Sequence, residues 1–337
     1  MTTTARRVTP GAPSPADVAP HAPLARGRPV RANGVELFCE TFGAPEAPPV
    51  LLLMGNSAPG IVWPDAFCRD LAGRGRYVIR FDQRDTGWST ALDFDVAPYT
   101  LDDLARDALG VLDALGIPRA HLVGLSQGGE LAYRLALAAP DRVLSVTALM
   151  SSPNLGPKNA AFAGAPPTPG ALPAPTAEYV AAVVALNASP PATADETAVR
   201  FVDNFRLAAG TASPFDEAAW HTLGQRVAAR SVRPDGRPTA VANHSNHRRA
   251  QMATPPLAAA DLARLAVPVL VLHGGGDPIF PPAHARYAAA TIPGARLVLL
   301  DAMGHALDPA FFALVLDALA TVGAAGTPAG DAGGHLR

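Results

Sequence analysis

Apolar residues recur along this chain with two different periods. Residues 35–42 (VELFCETF) alternate apolar and polar side chains, the spacing of a half-buried strand. Residues 50–54 (VLLLM) form a short unbroken apolar run, as a strand covered on both faces requires. Residues 77–81 (YVIRF), 121–124, 143–150, 267–273 (VPVLVLH) and 295–300 read as further strands. Helical spacing fills the gaps. Residues 65–73 carry Phe67, Leu71 and Ala72 on one side, and residues 101–115 carry Leu104, Ala108, Val111, Leu112 and Leu115. Thr100 and Asp103 have the spacing of an N-cap and its N3 partner, and Gly116-Ile117-Pro118 ends that helix. Residues 130–138, 282–290 and 309–322 complete the helical set. Strand and helix in alternation predict an α/β fold, a mostly parallel sheet with helices on both faces.

At Ser152 the rhythm breaks. Residues 153–175 are rich in Pro, Gly and Ala, a long connection of the functional or mobile kind. Helical segments follow at about 176–188, 194–209, 215–229 and 238–252, with no strand run among them. The expected organisation is a core of residues 29–151 and 256–322 with a helical lid inserted at 152–255. Residues 1–28 read as a disordered leader and 323–337 as a frayed tail. No apolar h-region follows Arg6-Arg7, so no export signal is expected and the chain reads as cytoplasmic.

Composition narrows the picture. Of 337 residues 49% are apolar and 17% charged, enough for a large core. The net charge of −2 and the lack of any Lys/Arg run argue against nucleic-acid or membrane partners. No apolar stretch reaches the roughly 18–20 residues of a membrane span. Scarce lysine beside abundant Arg, Ala, Gly and Pro reads as the coding bias of a GC-rich genome. Cys39 and Cys68 are too few for a framework of several disulfides; they read as buried free thiols, with a single bridge as the alternative.

The chemistry enters with AHLVGLSQGGELAY, residues 120–133. Gly124-Leu125-Ser126-Gln127-Gly128 fits G-x-S-x-G between a strand and a helix, the context that gives the motif meaning. A sharp turn there lifts the Ser126 hydroxyl clear and aims the Gln127 N–H at whatever bonds to it. The plain alternative is a Gly-rich turn with a helix-capping serine. A serine nucleophile needs a histidine base and an orienting carboxylate. In this architecture the acid and then the histidine follow in chain order, each past a late strand. Asp277 in VLVLHGGGDPIFPP and His305 in RLVLLDAMGHALDP occupy such places, with Asp301 and Asp308 as runner-up acids. Asn56 N–H, in LLLMGNSAPG, is the expected second oxyanion donor, since Gly55 allows a close backbone approach. Asp82, Arg84 and Asp85 in FDQRDTGWS suggest a buried ion network holding a neighbouring loop. Met54, Phe201, Phe205, Phe215, Trp220, His244, Met252 and Met303 are candidates to line an apolar pocket. Packing of the lid helices explains about half of those aromatics equally well. His121 and His273 read as packed, and His21 and His335 lie in the tails. His244 and His247 stand three apart without a cysteine or carboxylate cluster, so no metal and no cofactor is expected.

With these motifs in hand, residues 31–322 resemble an α/β-hydrolase. LLLMGNSAPGIVWPDAFCRDLAGRGRYVIRFDQRDTGWST further resembles the anthracycline (polyketide) methyl esterases of aclacinomycin methylesterase type. The resemblance implies hydrolysis of a methyl ester on a hydrophobic polycyclic aromatic polyketide, often with loss of CO2 afterwards. It implies Ser126, Asp277 and His305 as the triad, and Asn56 and Gln127 at the oxyanion positions. Two departures stand out: Asn56 where the family has a second glycine, and Gln127 where a methionine is usual. The triad alone leaves lactonase, thioesterase, aminopeptidase-like and perhydrolase activities open, and a non-catalytic binding module as a further alternative.

Overall fold

The structure is a computed structural model and describes residues 26–230 and 244–323. Eight strands form one sheet in the order β1-β2-β4-β3-β5-β6-β7-β8. They are β1 (Arg26–Ala32), β2 (Val35–Phe42), β3 (Pro49–Leu53), β4 (Tyr77–Phe81), β5 (Ala120–Leu125), β6 (Val143–Leu149), β7 (Val269–Gly274) and β8 (Arg296–Leu300). β1 and β2 pair antiparallel at one edge, and β2 meets β4 antiparallel. All other pairings are parallel. The carboxyl ends of β3, β5, β7 and β8 therefore open onto one rim, where ligands bind in open α/β sheets.

Alternation along each buried strand splits the core in two. Leu51, Leu53, Ile79, Leu122, Val146 and Val271 face one side, against α2 (Leu101–Ala114), α3 (Gln127–Ala138) and α10 (Ala283–Thr291). Val50, Leu52, Val78, Val123, Leu149 and Leu272 face the other, against α1 (Asp65–Gly73) and α11 (Phe312–Gly323). Thr100 and Asp103 close the expected capping box at the start of α2. Between β6 and β7 lie α4 (Gly156–Phe162), α5 (Ala177–Leu186), α6 (Ala194–Ala209), α7 (Glu217–Ala229), α8 (His244–Ala253) and the short α9 (Ala259–Leu262).

Two expectations are corrected. Strand β1 begins at Arg26, so the last residues of the stretch 1–28, expected to be disordered, belong to the sheet. The polar side chains of β1 hide an edge strand in which only Val30 and Ala32 turn inward, and Pro29 is tolerated there. The Pro-rich stretch after Ser152 is not wholly irregular, since Gly156–Phe162 forms α4 with a proline in its first turn, where no intrahelical N–H is lost. Residues 1–25 and 324–337, with His21 and His335, lie outside the described residues.

Candidate active site

Ser126 sits between β5 and α3 at φ 57° and ψ −124°, a conformation a non-glycine residue rarely adopts. Strain of this kind costs on the order of 1–3 kcal/mol and persists only where the surroundings over-determine it. Here Ser126 N–H donates to Leu149 O on β6 (2.9 Å), and Ser126 O accepts from Gly129 N–H (2.9 Å) and Ser151 Oγ (2.6 Å). The glycines permit the crowding. A Cβ at residue 124 would lie 2.1 Å from Gly128 O, and one at residue 128 would lie 2.1 Å from Leu53 O. A Cβ at residue 55 would lie 3.0 Å from Ser126 Cβ, a tight fit that glycine avoids where the loop after β3 passes the nucleophile. Ser126 itself stays half-buried and accessible, one residue before the N-terminus of α3.

Asp277 and His305 meet on the same rim. Asp277 Oδ2 accepts from His305 Nδ1 at 2.7 Å, and Asp277 Oδ1 accepts from the N–H groups of Ile279 (2.8 Å) and Phe280 (2.9 Å). The turn after β7 thus fixes the carboxylate with backbone donors and leaves one oxygen for the imidazole. Both residues are buried. The His305 backbone N–H donates to Ala208 O in α6 (2.8 Å), and its ring meets Phe280 edge-on at 5.5 Å. His273 Nε2 donates to Phe280 O at 2.7 Å, tying β7 to the same turn. Burial pushes the His273 pKa below the ordinary histidine value. Of the runner-up acids, Asp308 accepts from Asp216 N–H (2.7 Å) and Trp220 Nε1 (3.0 Å), and Asp301 is exposed. Among the described residues neither Ser126 Oγ nor His305 Nε2 has a hydrogen-bond partner, so their mutual contact is unmade in this conformation. Catalytic hydrogen bonds are commonly long without substrate.

The loop after β3 is held from several directions. Gln83 Nε2 donates to Met54 O (2.6 Å), and Ser57 N–H donates to His247 Nδ1 (2.9 Å). Ser57 has φ 56°, a strained conformation two residues past Gly55. The Asn56 side-chain oxygen accepts from Gln251 Nε2 at 2.9 Å. The same amide also donates to Gln127 Oε1. The two residues that depart from the family pattern are thus joined by a third. In the following loop, Asp82, Arg84 and Asp85 do not pair with one another. Asp82 accepts from Arg230 (2.7 Å), Arg84 donates to both oxygens of Asp107 (2.7 and 2.5 Å), and Asp85 accepts from Tyr99 Oη (2.6 Å). Each charge finds a partner on another element, so the loop is pinned from outside.

The apolar candidates divide. Met54 and Met303 are fully buried at strand ends. Phe201, Phe205, Phe215 and Trp220 stack on one another, with Phe205–Trp220 centroids 4.7 Å apart and Phe215–Trp220 5.3 Å apart. Met252 does not line a pocket: it is 65% exposed. The buried face of α8 is instead Asn246, His247, Ala250 and Gln251, and helical spacing puts residue 252 on the far side. His244 opens α8, but its side chain lies outside the described residues. A small cavity of about 70 Å3, lined by Arg74, Arg76, His121, Ser145 and Thr147, lies at the opposite, amino end of the strands. No group of three metal-ligating side chains occurs among the described residues. Nor, among them, is any helix long and apolar enough to cross a membrane.

The sequence reading missed Gln83, Gln251, Lys158 and Arg230, and weighed His247 only as half of a metal-ligand pair. Nothing in their local pattern marks them, because their partners are far away in the chain.

Strained serine, glycine-packed turn and carboxylate-bound histidine at one rim of a parallel sheet define a class. Residues 48–307 match the model of the alpha/beta hydrolase fold, and the chain belongs to that family. Its relatives narrow this to a carboxylic ester hydrolase. The chain is 37% identical over 285 residues to Rhodomycin D methylesterase DauP of Streptomyces sp. (strain C5), covering 83% of this chain and 92% of that protein. It is 36% identical over 278 residues to Rhodomycin D methylesterase DnrP of Streptomyces peucetius, covering 81% and 90%. Among solved structures, a hydrolase from Pseudomonas aeruginosa PA01 matches with a TM-score of 0.63 and 25% identity, over 89% of this chain and 98% of that one. The resemblance read from the residues around 54–90 therefore holds across most of the chain.

Proposed function

We propose that the protein hydrolyses a methyl ester of a hydrophobic polycyclic aromatic polyketide of the anthracycline type, through Ser126, His305 and Asp277. The observation that carries this reading is the 2.7 Å contact of Asp277 with His305 on the rim that also presents the strained Ser126. As Ser126 Oγ bonds to the ester carbonyl carbon, its proton passes to His305 Nε2, and the carbonyl electron pair becomes an oxyanion. The N–H groups of Asn56 and Gln127 receive that charge. On collapse the bond to the alkoxide breaks, and His305 returns the proton to give methanol. Water then attacks the acyl-enzyme by the same route, releasing the carboxylic acid and Ser126. Asp277 holds the Nδ1–H tautomer and stabilises the imidazolium. The insertion 152–255 serves as the lid, and its stacked aromatics supply flat apolar walls. Two free buried cysteines, Cys39 and Cys68, fit a cytoplasmic setting.

Ser126→Ala is the test. Methanol release from a polycyclic aromatic methyl ester is expected to fall by on the order of 10⁴–10⁶. Retained turnover would end this reading. Faster turnover of lactones, thioesters or peptides than of the methyl ester would leave the serine chemistry standing and remove the substrate class.

A further inference from the structure

The chain contains 27 cationic residues of the Lys/Arg type, and only one of them is a lysine, Lys158. It stands on α4, and its Nζ donates to Gln251 Oε1 on α8 at 2.8 Å. The amide of Gln251 then donates to Asn56 Oδ1 at 2.9 Å and to Gln127 Oε1. One turn earlier on the same face of α8, His247 Nδ1 accepts from Ser57 N–H (2.9 Å), and its Nε2–H donates to Arg84 O (2.8 Å). These two partners fix the neutral tautomer, because a backbone N–H needs an acceptor and a carbonyl needs a donor. Met54 O, two residues before Asn56, is therefore committed to Gln83, and Ser57 N–H, directly after Asn56, to His247. What remains free in that loop is the direction of the Asn56 N–H. At the other donor, Gln127 is buried, and its Nε2 has no hydrogen-bond partner, so its side chain is fixed only through Gln251.

We propose that His247, Gln251 and Lys158 are positioning residues for the hydrolysis, holding the 55–57 loop and Gln127 so that both flanking N–H groups face Ser126. This rests on the serine-hydrolase reading above. The physical reason is preorganisation. Ser57, with its positive φ, does not keep its conformation unaided, and an oxyanion donor acts fully only when it is aimed before charge develops. The two donors come from separate elements, so one amide spanning both side chains sets their separation. The Lys158 ammonium chooses which end of that amide faces the donors: its Nζ occupies Oε1 and leaves both N–H bonds for Asn56 and Gln127. Lys158 is half-buried, and burial, with help from Arg248 and against the pull of Glu130, pushes its pKa down to about 8.

The variants Gln251→Met, His247→Ala and Lys158→Met test this, assayed beside Ser126→Ala on a p-nitrophenyl ester and a polycyclic methyl ester. Gln251→Met keeps the side-chain length without the hydrogen bonds. Its kcat is expected to fall on the order of 10-fold to 100-fold on both substrates, with KM changed less than about threefold. His247→Gln, which restores an acceptor for Ser57 N–H, is expected to recover part of the loss seen in His247→Ala. With a single lysine, ¹⁵N-lysine labelling gives one side-chain ammonium signal, and phosphonylation of Ser126 in the intact enzyme is expected to shift it. Should Ser126→Ala lose activity while Gln251→Met and His247→Ala keep kcat within about twofold, the positioning role is overturned and the serine mechanism survives. An unmoved lysine signal on phosphonylation overturns it as well, even if the variants fail to fold. Full activity in Ser126→Ala removes both ideas together.

Discussion

The two N–H groups proposed as oxyanion donors, those of Gln127 and Asn56, are anchored in opposite ways. Gln127 N–H is the first of α3, and its place follows from a six-residue string, GLSQGG, whose glycines admit Leu53 O and Ser151 Oγ at close range. Asn56 N–H belongs to a loop whose shape depends on Gln83, His247 and Gln251, the last two some 190 residues further along the chain. The first is built by local chemistry and the second by tertiary contact. The difference teaches where tolerance to change should lie. The turn at Ser126 is rigid because there is no room, whereas the 55–57 loop is rigid because several side chains agree.

Mutations can break or sharpen that contrast. Asp277→Asn sets the scale. It leaves the backbone donors of Ile279 and Phe280 in place but favours the wrong histidine tautomer, and kcat is expected to drop by about 10⁴ in steady-state assays. Gly128→Ala comes next. A Cβ 2.1 Å from Leu53 O must displace the turn, with kcat reduced on the order of 10²–10³ and a lowered melting temperature. If Gly128→Ala is as active and stable as the native protein, the turn is not held by close packing. Asp308→Asn probes remote anchoring away from the chemistry. It weakens the bonds to Asp216 N–H and Trp220 Nε1, and unfolding in denaturant should show a loss of about 1–2 kcal/mol with kcat nearly unchanged.

The smallest effect is a pH dependence at Lys158. Its pKa is about 8 in the folded protein and 10.5 as an ordinary lysine, so the unfolded chain binds more protons between these values. Stability from this group therefore rises with pH across that window. The melting temperature of the native protein, measured against Lys158→Met, should climb by on the order of a few degrees between pH 7.5 and 10. A constant difference across that range would mean the ammonium is fully solvated.

Much of the frame was legible from residues alone. The apolar runs of β3, β5, β6 and β7 are long enough to decide strands, and the helix from Leu101 begins at its Thr100 cap. β1 escaped because an edge strand buries only alternate residues. α8 misled for a related reason. Its one large apolar residue, Met252, is exposed, and its buried face carries Asn246, His247 and Gln251. A helix buried through polar contacts has no apolar stripe to read.

The sequence by itself determined the order of elements, the strained turn at Ser126 and the strand ends that carry Asp277 and His305, because these depend on periodicity, glycine sterics and chain order. Tertiary structure alone decided that Asp277 rather than Asp308 meets His305, that the charges of the 82–85 loop seek Arg230, Asp107 and Tyr99, and that α8 grips the loop beside the nucleophile. The reason is one of range. A hydrogen bond is specified by atoms within about 3 Å, and residues far apart in sequence come that close only after the sheet has formed.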